Sequence, residues 1–154
     1  MSNIGGYQRM RTYQLYLIDE GFASHYFGKE RLFFQLFKEY EEAFGDLKNI
    51  IKKQIDFITK PINCFRIQHF LHQNLQKNKS FYNESGIYYL DMGKKGFAQL
   101  DIKEDYMILK ANGQYDAETA FFEVLRKAEP SFIAIDLKNR HCGWLKPIKE
   151  RKFI

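Results

Sequence analysis

A chain of 154 residues, 45% hydrophobic and 28% charged, has the size and balance of one globular domain and can bury a core without metal or disulfide staples. Its net charge of +5 is spread over Lys52-Lys53, Lys94-Lys95 and the stretch from Lys146 to Lys152, which line no single helix face, so charge permits nucleic-acid affinity without requiring it. No segment reaches the ~20 apolar residues of a membrane span, residues 1–11 lack the apolar run of a signal peptide, and Cys64 and Cys142 stand outside any CxxC, so the expected setting is a reducing cytoplasm.

Residues 1–11 are polar and Gly-containing and read as a flexible N-terminus, leaving 12–154 as a single domain. Residues 12–18 (TYQLYLI) are rich in β-formers and predict a first strand, ended by Asp19-Glu20-Gly21. A helix is predicted over 22–44, with Gly28 as a point of interruption. A second follows over 47–59, with Asp46 as its N-cap, and it stops before Pro61. A third covers 64–77. Short strands near 86–91, 96–101 and 105–111 form a meander turned by Gly93 to Gly96 and by Glu104-Asp105, after a polar connection from Lys77 to Glu84.

Asp116 reads as the cap of the clearest helix, whose Ala117, Ala120, Phe121, Val124, Leu125 and Ala128 make one continuous stripe. Glu118 in its first turn and Arg126-Lys127 in its last suit the helix dipole. Residues 132–137 (FIAIDL) suggest a strand covered on both faces, and a last strand or hook runs over 142–148. The expected fold is α/β or α+β: one mixed sheet of about five to six strands packed with about four helices.

Two regions carry more apolar surface than one packing face requires. In the first helix Phe22, Tyr26, Phe33, Leu36, Phe37, Tyr40 and Phe44 fill an arc of about 100°, and Ala23, Phe27 and Phe34 widen it toward about 180°. In the second, Leu47, Ile51, Ile55 and Ile58 form a core stripe, and Ile50, Gln54 and Phe57 form another beside it. An amide between two apolar residues suits a protein-contact patch. Periodicity alone is compatible with either a core or an interface.

Four blocks resemble the SirA family of sporulation inhibitors of replication found in Bacillus and its relatives. They are YLIDEGFASHYFGKE from Tyr16, KQIDFITKPI from Lys53, GQYDAETAFFEVLRK from Gly113 with Pro130, Phe132, Ala134 and Asp136 after it, and GWLKPIKERKF from Gly143. The region from about 64 to 110 departs from the family pattern. The resemblance implies an inhibitor that is not an enzyme, uses no cofactor, and binds domain I of the replication initiator DnaA. Carried over residue by residue, it implies partner contacts at Phe22 and Tyr26, with His25 at the edge, and at Gln54 and Phe57, with Ile50 beside them. Pro147 is a further candidate. Phe57 stands where the family pattern has Tyr, so a hydroxyl contact there is lost.

Two other classes compete. For catalysis the titratable candidates are His25, His69, His72, His141, Asp116, Glu118, Glu123 and Asp136, but no Gly-rich phosphate loop, GxSxG or HExxH accompanies them. His69 and His72, with Cys64 upstream, lack further ligands at metal-site spacing. The alternative of a basic nucleic-acid-binding module draws on the lysines and aromatics, yet those aromatics fall at helical spacing away from the lysine clusters.

Overall fold

The first strand, β1 (Arg11–Ile18), alternates its side chains between two cores: Leu15 and Leu17 point to one, Tyr16 and Ile18 to the other. Both faces of its sheet must therefore be covered. The computed structural model, which describes residues 10–25 and 28–146, shows how. Helices α1 (Glu20–His25), α2 (Glu30–Glu42) and α3 (Gly45–Ile58) cover one face, and α4 (Cys64–Leu75) and α5 (Asp116–Ala128) cover the other.

The remaining strands are β2 (Thr59–Lys60), β3 (Phe81–Glu84), β4 (Ile87–Asp91), β5 (Phe97–Ile102), β6 (Met107–Asn112), β7 (Phe132–Asp136) and β8 (His141–Trp144). They form one sheet in the order β3-β4-β5-β6-β1-β7-β8, with β2 added on β1. Every pairing is antiparallel. The fold is thus α+β, and the expected mixed sheet is corrected to an antiparallel one. The short turns from β3 to β6 and between β7 and β8 allow only that sense, and β1 adopts it too against β2, β6 and β7 across long connections.

The described residues hold eight strands rather than five or six, and five α-helices rather than four. The extra strands are β3, whose polar sequence FYNE hides a paired edge, and β2, whose two residues are too short for any periodicity. The extra helix arises because Gly28, at φ 79°, breaks the long first helix into α1 and α2. Helical phase does not carry across that break, so the wide arc drawn through both halves is not one surface.

Several boundaries also shift. Asp46 and Asp116 lie inside their helices. The cap positions belong to Phe44 and Tyr115, neither of which makes a side-chain capping bond, while Asn63 caps α4 by accepting from the Arg66 N–H at 3.1 Å. Arg11 belongs to β1 rather than to a frayed end. Phe44 and Leu47, read as core, are 85% and 58% exposed, whereas Phe33, Phe37, Ile51 and Ile55 are buried as expected. The FIAID strand is buried along its whole length.

Glu118 is the largest departure among the charged residues. It is buried, taking the Arg11 Nε–H at 2.8 Å and the Tyr13 hydroxyl at 2.5 Å. Burial works against the Arg11 charge, but the hydrogen bond and proximity to Glu118 outweigh it and hold that guanidinium above its ordinary pKa. Glu118 therefore ties the start of α5 to the start of β1.

Candidate functional site

The candidate site is built at the junction of β1, α1 and α3. Pairing of Ile18 with Thr59 brings the end of β1 to the end of α3, and the Asp19 N–H donates to the Ile58 carbonyl at 2.8 Å. Asp19 then starts α1: its carboxylate accepts the Gly21 N–H at 3.0 Å and its carbonyl the Ala23 N–H at 2.9 Å. Buried Ala23 turns α1 onto the core, which sets half-buried Phe22 against the last turn of α3. There its ring meets Phe57 edge-on, with centroids 5.4 Å apart.

On α3 the rotation is fixed by Ile51 and Ile55, which are buried one turn apart. At about 100° per residue, that burial necessarily turns Ile50, Gln54 and Phe57 outward. Ile50 is 54% and Phe57 74% exposed, and Gln54 is exposed between them. Leu36 of α2 supplies the facing wall. Phe22, Leu36, Ile50, Gln54, Phe57 and Ile58, with Lys53 at the rim, line a shallow, mainly apolar depression of about 580 Å³. Leu47, one turn before Ile50, prolongs the apolar stripe along α3.

Four sequence-selected residues thus meet: Phe22, Ile50, Gln54 and Phe57. His25 is exposed at the end of α1 and does not line the depression. Tyr26 and Pro147 lie outside the described residues. Leu36 and Lys53 were not selected. Leu36 looked like core because it follows the same spacing as Phe33 and Phe37, and only the approach of α1 makes it a wall. Leu47 could have been found, since it extends the outer stripe of α3 at helical spacing.

The described residues do not assemble a group of three or more His, Cys, Asp and Glu fit to hold a metal ion. His72 instead packs edge-on against Phe81 and Tyr88, and Cys64 is exposed. Among the described residues no helix is long and apolar enough to cross a membrane.

A family model described as sporulation inhibitor of replication protein SirA matches residues 11–149. The chain belongs to the SirA family. A similar protein from Bacillus subtilis (strain 168), named sporulation inhibitor of replication protein SirA, is 43% identical over 148 residues, covering 94% of this chain and 99% of the relative. The SirA match spans β1, α1 and α3, so the elements that build the depression belong to the family's shared region. It also spans 64–110, the region whose residues depart from the family pattern.

Proposed function

We propose that this chain inhibits the initiation of DNA replication at sporulation by seating the Phe22–Ile50–Gln54–Phe57 depression on domain I of the initiator DnaA. The observation that carries the reading is the exposure of Phe57 and Ile50 around an amide, beside the half-buried Phe22. An isolated soluble domain gains nothing from leaving such a cluster in water, whereas a partner that covers it recovers the apolar area. Aromatic anchors around one hydrogen-bonding side chain are the usual composition of an interface centre.

The action is stoichiometric occlusion rather than catalysis. A specific contact of ordinary size covers ~800 Å² on each partner. The depression would therefore be its centre, with Leu47, Lys53 and His25 toward the rim. Covering domain I in this way would deny DnaA the self-assembly or helper contacts that productive origin binding requires.

The cellular test is the ratio of origin to terminus DNA after the chain is expressed in growing cells of a sporulating bacterium that carry the cognate DnaA. The ratio falls toward one with the wild-type chain and stays at its growing value with a Phe22→Ala/Phe57→Ala variant present at equal abundance. A variant that lowers the ratio as fully as the wild type would show that the depression is not the inhibitory surface.

A further inference from the structure

The outward stripe of α2 does not stop at the depression. Leu32, one turn before Leu36 and so on the same face of the helix, is 54% exposed. It lines a second, broader groove of about 1010 Å³ between the start of α2 and the β7–β8 turn, where half-buried Phe34 adds apolar surface.

Around that apolar strip the groove is basic. Lys29 and Arg31 come from the entry to α2 and Arg140 from the β7–β8 turn, and all three are exposed. None of the three is paired with a carboxylate among the described residues. Glu30 is the single carboxylate among the described lining residues, and it already accepts the Trp144 Nε1–H at 3.0 Å. The Cys142 thiol donates to the Glu30 carbonyl at 3.3 Å, so α2 and β8 hold the two walls together. Cations at the start of a helix oppose its dipole, so Lys29 and Arg31 stand there without benefit to α2. A phosphate backbone would satisfy these charges but leave Leu32 and Leu36 uncovered, and the described lining offers no exposed aromatic ring on which a base could stack. An acidic polypeptide with an apolar side chain satisfies both.

We propose that the Lys29–Arg31–Arg140 groove takes an acidic segment of the partner that covers the depression, with Leu32 receiving an apolar side chain of that segment. The inference rests on the proposed function in taking that partner to be domain I of DnaA. Charges exposed in this way steer the encounter and fix its orientation, while the apolar depression supplies the hold.

The test is fluorescence anisotropy of labelled cognate DnaA domain I titrated with the full chain at ~50 mM and ~500 mM salt. Arg31→Glu/Arg140→Glu should weaken binding about tenfold or more at low salt, with most of the difference gone at high salt and the melting temperature unchanged. Lys94→Glu/Lys95→Glu makes the same change of net charge in the β4–β5 turn, outside the groove, and should bind as the wild type does. If the reversed pair fails to fold, Arg31→Gln/Arg140→Gln carries the comparison, with a smaller loss in the same direction. Undiminished binding by the groove variant, or an equal loss in the Lys94/Lys95 variant, would overturn the groove and leave the proposed function standing. Oligothymidylate bound more tightly than domain I, and lost in the groove variant, would overturn the choice of a protein segment. Absence of domain I binding by the folded wild-type chain would overturn the proposed function and this inference with it.

Discussion

Glu118 illustrates how one residue can join distant parts of the chain. Its carboxylate sits 107 positions from Arg11 in sequence, yet it takes both the guanidinium and the Tyr13 hydroxyl in a buried pocket at the β1–α5 contact. Removing one partner of such a pair leaves an uncompensated buried charge, so Glu118→Ala should cost about 3 kcal/mol or more in urea unfolding. A loss within error would show that water already screens the pair. Nothing local marks Glu118 as buried: its helical position suits the dipole, and its partner is legible only once β1 and α5 are placed together. Gln54 and Phe57 are the opposite case. They lie beside the core stripe at helical spacing, and burial of Ile51 and Ile55 is enough to turn them outward.

At the scale of elements, α3 buries Ile51 and Ile55 on one side and exposes Ile50, Gln54 and Phe57 on the other, the side to which the proposed function assigns partner binding. Ile51→Ala removes a side chain buried in the core cluster it shares with Tyr16, Ile18, Ile133 and Ile135 and should cost about 2–4 kcal/mol in the same unfolding measurement. Phe57→Ala, at a 74% exposed position, should leave the melting temperature almost unchanged while weakening partner binding by ~2 kcal/mol, about 30-fold, in fluorescence anisotropy. Reversal of the two outcomes would exchange the assigned faces. Helices α3 and α5 are readable in the sequence because their apolar stripes repeat over several turns. Helix α1 is readable in part: Gly28 marks the interruption and takes the left-handed backbone there, whereas the start of α1 at Glu20 depends on the Asp19–Ile58 bond, a tertiary contact. The strand β3 is hidden for a similar reason: its outward residues Tyr82 and Glu84 leave little alternation to detect, and its pairing with β4 decides it.

For the molecule as a whole, burial of titratable groups sets a direction for alkaline stability. The Cys142 thiol is pushed up to about 11 by burial and then by Glu30, and burial likewise raises the Tyr13, Tyr16 and Tyr88 phenols. The unfolded chain gives up these protons at lower pH than the folded one. Their contribution is therefore complete below about pH 9, the ordinary thiol value, and declines as pH rises through about 11. The melting temperature should fall across that interval, and a flat or rising curve would contradict the burial of these groups. The three-layer arrangement that buries them also leaves α1 and α3 free to present their outer residues side by side. The α+β class and the antiparallel meander over 86–111 were within reach of the element order and its short turns, but the antiparallel sense of β1 against β6 and β7, and the strand order, depend on long-range pairing. Capture of DnaA domain I, as proposed, is decided by calorimetric titration of the full chain with the cognate domain. Saturation at one domain per chain is expected with the wild type and no measurable heat of binding with a folded Phe22→Ala/Phe57→Ala variant; absence of binding by the folded wild-type chain would overturn the proposal.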